Sequence, residues 1–127
     1  MRKNILSINS NRPMNYLLQT ILSDQYKVIP ALDVFQGMYE LKRNDEIELI
    51  IADVDHNTKE SWDFIQHIKT SKLYNKPVIV LTSDKGKRTV EKMAEANVYD
   101  FFLKPFDPVE LIRTINELVK LNDGVTI

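Results

Sequence analysis

Apolar residues along this chain fall into short continuous runs separated by stretches of helical spacing, and the two patterns alternate five times. Residues 4–8, 26–31, 47–52, 77–81 and 98–103 read as strands, each bounded by polar or turn-forming residues. The run Leu49-Ile50-Ile51-Ala52 has no polar position on either parity. As a strand it must be buried on both faces, which a parallel sheet covered by helices requires.

The intervening stretches carry helix signals. Pro13 opens the first, with Met14, Leu17, Leu18, Ile21 and Leu22 as its inward stripe. Asp33 and Gln36 form a capping pair before a helix whose apolar face is Val34, Phe35, Met38 and Leu41, with Gly37 permitting close packing. Asn57 followed by Glu60 marks a third start, with Trp62, Ile65 and Ile68 inward. Residues 88–96 make a fourth helix with Val90, Met93 and Ala94 inward, and Asn97 suits the left-handed conformation common after a helix. Asp107-Pro108-Val109-Glu110 opens the last, which runs to about residue 121.

Five strands alternating with helices imply an α/β fold, a doubly wound five-stranded parallel sheet with right-handed crossovers. Proline cannot donate to a ladder, so Pro30 places the second strand at an edge and favours the order 2-1-3-4-5. In such sheets chemistry sits beyond the carboxyl ends of the strands. That rim collects Asn9, Ser10, Asp53, Asp55, Thr82 and Lys104.

Composition narrows the class without naming it. The 127 residues fit one domain over residues 1–121, with residues 122–127 losing periodicity as a tail or the start of a linker. Seventeen basic against eighteen acidic residues leave a net charge of −1, which gives no electrostatic footprint for nucleic acid or an anionic membrane. No run reaches membrane-spanning length and no cysteine is present, so a cytoplasmic location is expected. His56 and His67 lack a second ligand at helical spacing and read as surface histidines.

A carboxylate nucleophile, a hydroxyl and an ammonium around one crevice suit phosphoryl transfer, with Asp53 attacking while Thr82 and Lys104 meet the phosphoryl oxygens. The segments Leu-Ile-Ile-Ala-Asp53-Val-Asp55, Pro-Val-Ile-Val-Leu-Thr82-Ser83 and Tyr-Asp-Phe-Phe-Leu-Lys104-Pro105-Phe106, with Asp-Pro-Val-Glu-Leu following, resemble the response-regulator receiver domain, the CheY-like family, over about residues 3–121. The resemblance implies a flavodoxin-like three-layer sandwich in a non-enzymatic phosphorelay module. It makes Asp53 the phosphoacceptor for a histidine kinase or phosphotransfer protein, Thr82 the switch hydroxyl, Lys104 the phosphate-binding cation and Phe101 the switch aromatic. It also implies a cis bond before Pro105, which an X-Pro linkage tolerates.

One departure concerns metal. Where the family places an acid pair that binds magnesium, this chain has Asn9 and Ser10. Magnesium is expected to be held weakly, through Asp53 and Asp55, because neutral groups replace two anions. Two readings therefore stay open: a working receiver whose surface switches on phosphorylation of Asp53, and a pseudo-receiver that binds partners without it. The Asp53-x-Asp55 pattern with Thr82 and Lys104 also resembles haloacid-dehalogenase-type phosphatases, but those carry the motif after their first core strand and need a further acidic pair beyond the lysine. In the last helix Leu111, Ile115 and Leu118 form one stripe, and Val109, Ile112 and Val119 an adjoining one. With Phe101, that second stripe offers a homodimer or partner surface on the helix 4, strand 5 and helix 5 face.

Overall fold

Each apolar run becomes a strand of one parallel sheet because neither of its faces can be left in water. The computed structural model describes residues 2–122, so the expected tail lies outside the described residues beyond Asn122. The elements are β1 (Lys3–Ile8), α1 (Arg12–Leu22), β2 (Tyr26–Ala31), α2 (Val34–Arg43), β3 (Ile47–Asp53), α3 (Thr58–Thr70), β4 (Val78–Thr82), α4 (Lys87–Glu95), β5 (Asp100–Leu103) and α5 (Pro108–Asn122). The five strands pair in parallel in the order β2-β1-β3-β4-β5. Pro30 sits on the edge strand β2, as its missing N–H demands.

Strand parity divides the core into two layers. Leu6, Ile8, Ile50, Ala52, Val78 and Val80 face one way, against Leu41, Trp62, Ile65, Ile68 and Met93 of α2, α3 and α4. Ile5, Leu49, Ile51, Ile79 and Leu81 face the other, against Leu18, Leu22, Leu111, Ile115 and Leu118 of α1 and α5. A run such as Leu49 to Ala52 thus alternates between two cores, which explains its lack of polar positions. The register shift between Asn4 and Ile5 lets Ile47 and Leu49 enter different layers despite their shared parity.

Several helix faces differ from the expected stripes. Residues flanking a stripe can satisfy its spacing while pointing to solvent, and Leu17, Phe35, Val90 and Ala94 do so. The buried side of α1 is Asn15, Leu18 and Leu22, and that of α4 includes Thr89 and Met93. Gly37 packs as expected: a Cβ there would stand 2.5 Å from Ile8 Cδ1. Asn97 adopts φ 53°, and this reversal delays β5 to Asp100. Asn57 precedes α3 with φ 50° and makes no side-chain cap. The adjoining stripe of α5 also divides. Val109 is exposed, whereas Ile112 packs partly buried against the α1/α5 layer and Val119 is buried in it.

Candidate functional site

The site forms because four neighbouring strands end in polar residues at the same rim. Asp53 ends β3, paired with Leu81 of β4, and the Val54 N–H extends the ladder by donating to the Leu81 carbonyl at 3.1 Å. Lys104 follows β5, and its N–H donates to the Thr82 carbonyl at 3.0 Å. Asn9 follows β1, tied by its N–H to the Ala31 carbonyl at 2.9 Å. The Lys104–Pro105 bond is cis.

Asp53 is only 7% exposed. Its Oδ1 accepts from the Asp55 N–H at 2.9 Å, while Oδ2 accepts from Lys104 Nζ at 2.6 Å and from Asn9 Nδ2 at 3.2 Å. Lys104 Nζ also stands 2.7 Å from Asp55 Oδ2, so one ammonium bridges two carboxylates. Burial alone would lower the Lys104 ammonium, but its bonds to Asp53 and Asp55 outweigh that and raise it. Burial would likewise raise the Asp55 carboxyl. The Lys104, Thr82 and Ser83 donors overcome this and lower it to about 2.

Asp55 is the most heavily engaged group at the rim. The Thr82 hydroxyl donates to its Oδ1 at 2.6 Å, and the Ser83 N–H and hydroxyl donate to its Oδ2 at 2.9 and 3.0 Å. On the opposite side of Asp53 lies a cavity of about 210 Å³, lined in part by Asn9, Ser10, Phe35, His56 and Glu60. Ser10 reaches this cavity but makes no hydrogen bond to either carboxylate among the described residues. Phe101 is 39% exposed on the edge strand β5.

Sequence reasoning placed Asp53, Asp55, Thr82, Lys104 and Asn9 at one rim, and the structure brings these five into a bonded cluster. It missed Asn15, whose Nδ2 donates to the Asn9 carbonyl at 3.0 Å and whose Oδ1 accepts from the Ser7 hydroxyl at 2.6 Å. The signal was present: Asn15, Leu18 and Leu22 share one helical stripe, and a polar residue there needs buried partners. It also missed Asp84 and Thr89, whose short polar side chains gave no periodic signal.

The hydrogen-bond partners of the Asp53 carboxylate are nitrogen donors. Asn9 turns its amide nitrogen to Asp53 and commits its oxygen to the Asn11 N–H at 2.9 Å, and Lys104 occupies the space between the two carboxylates. Among the described residues no group of three or more His, Cys, Asp or Glu side chains is placed to hold a metal ion.

A parallel sheet in this strand order thus ends in a buried aspartate bonded to a lysine. A family model described as the response regulator receiver domain matches residues 5–116. The chain belongs to the response-regulator receiver family. This receiver is 27% identical over 121 residues to a probable transcriptional regulator, ycf29, of Porphyra purpurea, covering 94% of this chain and 57% of that protein. It is 24% identical over 85 residues to a chemotaxis protein CheY homolog of Campylobacter jejuni, covering 66% of this chain and 65% of that protein. The receiver thus spans less than two thirds of the length of either curated relative. Among solved structures, the signal receiver domain of an HD domain-containing protein from Pseudomonas fluorescens matches with a TM-score of 0.87 at 23% identity, covering 98% of this chain and 99% of that one. That likeness establishes the fold. Receiver domains are generally signalling modules and not enzymes. No helix among the described residues is long and apolar enough to cross a membrane.

Proposed function

We propose that this receiver accepts a phosphoryl group on Asp53 from the phosphohistidine of a kinase or phosphotransfer protein. The observation that carries this reading is the Asp53 carboxylate itself, buried at a strand end with Lys104 Nζ 2.6 Å from Oδ2 and an open cavity on its other side. An Asp53 oxygen forms the new O–P bond as the P–N bond of the donor breaks. The imidazole departs with the electron pair and takes a proton from solvent. Lys104 and Thr82 would meet the charge on the transferred oxygens. The nitrogen donors around Asp53 do not suit magnesium, and no step here is routed through it.

A second reading is favoured by one observation: Lys104 and Thr82 are both bonded to Asp55. In that reading the domain is a pseudo-receiver that binds partners without phosphorylation. Either way the partner surface is proposed on α4, β5 and α5, where Val90, Phe101, Leu103 and Val109 are exposed. It would serve a homodimer or an output protein. Incubation with acetyl phosphate or a phosphohistidine protein, followed by mass spectrometry, tests the first reading. A mass gain on Asp53, absent from Asp53→Asn, is expected. No gain from either donor would leave the pseudo-receiver.

A further inference from the structure

The donors that would meet a phosphoryl group are already occupied. Thr82 Oγ1, Ser83 N, Ser83 Oγ and Lys104 Nζ converge on the two oxygens of Asp55 at 2.6, 2.9, 3.0 and 2.7 Å. Three of these donors fall on Oδ2 and one on Oδ1, so both oxygens of the carboxylate, which together offer about four lone-pair sites, are engaged. A residue that only capped a turn would need one or two. The bonding also continues outward. Thr82 Oγ1 accepts from the Asp84 N–H at 3.0 Å, and the Asp84 carboxylate accepts from the Gly86 N–H and the Thr89 hydroxyl, each at 2.8 Å. Thr89 lies on the buried side of α4, so an unbroken chain of hydrogen bonds links Asp55 to the first turn of that helix.

We propose that the Asp55 carboxylate is a resident anion in the phosphoryl cradle: it holds Thr82, Ser83 and Lys104, and an incoming phosphoryl group must displace it. The cradle is a phosphoryl site only on the reading that Asp53 is the acceptor. Like charges make displacement costly, because an acyl phosphate on Asp53 would face the Asp55 carboxylate two residues away. The β4–α4 loop is therefore ordered before any phosphoryl group arrives, and a vacated cradle would take a free tetrahedral oxyanion.

Amide hydrogen exchange of the full chain tests this without any phosphodonor, comparing the wild type with Asp55→Ala and the isosteric Asp55→Asn. In Asp55→Ala, exchange at Ser83, Asp84 and the first turn of α4 should accelerate on the order of tenfold. Saturating inorganic phosphate should restore protection there and leave the wild type unchanged. Adding Lys104→Ala should abolish the rescue. Asp55→Asn, which keeps the shape and loses the charge, should show smaller changes of the same sign and serves if the alanine variant does not fold. Unchanged exchange in folded variants would overturn the proposal. So would loosening that phosphate does not reverse, since Asp55 would then be a turn cap only. Mass spectrometry of Asp53 in the same variants separates the two ideas: phosphate rescue without a mass gain from a phosphodonor keeps the cradle and removes the acceptor reading, and the converse does the reverse.

Discussion

The two sides of Asp53 differ in what they offer. Toward β4 and β5, the ammonium of Lys104 joins both carboxylates, and Asp55 gathers Thr82 and Ser83. Toward β1 and α2, neutral Asn9 and Ser10 border a cavity of about 210 Å³. The filled side is electrostatically self-satisfied, because each anion has its cation or hydrogen-bond donors. The open side reaches Asp53 and carries Asn9 and Ser10 where the family places its acid pair. One carboxylate thus faces a finished polar network and an unfinished one.

The filled side breaks most severely through Lys104. Lys104→Ala leaves two carboxylates facing each other with no cation between them, and should lower stability by about 2–3 kcal/mol in urea denaturation. The double variant Lys104→Ala/Asp55→Ala should recover most of that loss, since the repelling pair is gone. Recovery of less than a quarter would show that packing of the lysine stem, and not the ion cluster, sets the cost.

The open side breaks when a charge is added and not when one is removed. Asn9→Asp removes the Nδ2 donor and sets a third carboxylate against Asp53 and Asp55, at a cost of about 1–2 kcal/mol. In Asn9→Asp/Ser10→Asp, magnesium should offset that loss and give saturable heat in calorimetry roughly tenfold or more stronger than in the wild type. Equal heats for the two proteins would contradict the view that Asn9 and Ser10 are what weaken the metal.

A smaller effect is a pH dependence. Asp55 is lowered from an ordinary carboxyl value of 3.8 to about 2, so its contribution is fully present above pH about 4 and is lost as pH falls toward 2. For a partly exposed group this is on the order of 1 kcal/mol after solvent screening. Asp55→Asn should flatten the acid limb of the stability curve over that window. The Lys104 ammonium is raised, so its contribution persists below its ordinary value of 10.5 and fades only as pH rises beyond it.

Much of this was legible in the sequence, for identifiable reasons. The unbroken run ending at Asp53 required a doubly buried strand, and Pro30 required an edge. Together they placed Asn9, Thr82 and Lys104 on one rim. Helix faces were less legible, because Phe35 and Val90 satisfy helical spacing while pointing to solvent. Ile112, read as part of a partner surface, is partly buried against the α1/α5 layer, which leaves Val109 as the exposed member of its stripe. Val109→Glu is accordingly the cleaner probe of self-association, and should change stability by no more than about 0.5 kcal/mol. Periodicity could not foretell where Asp55 would turn. A residue beyond a strand end has no face imposed by the sheet, and its direction follows from the donors that the other loops supply.

The most direct test of the account is the mass of the Asp53 peptide after treatment with a phosphohistidine donor, compared between the wild type and Asp55→Ala. The account predicts a gain on Asp53 in both, and a larger phosphorylated fraction where Asp55 no longer competes for Lys104 and Thr82. An unmodified Asp53 in both proteins would contradict it.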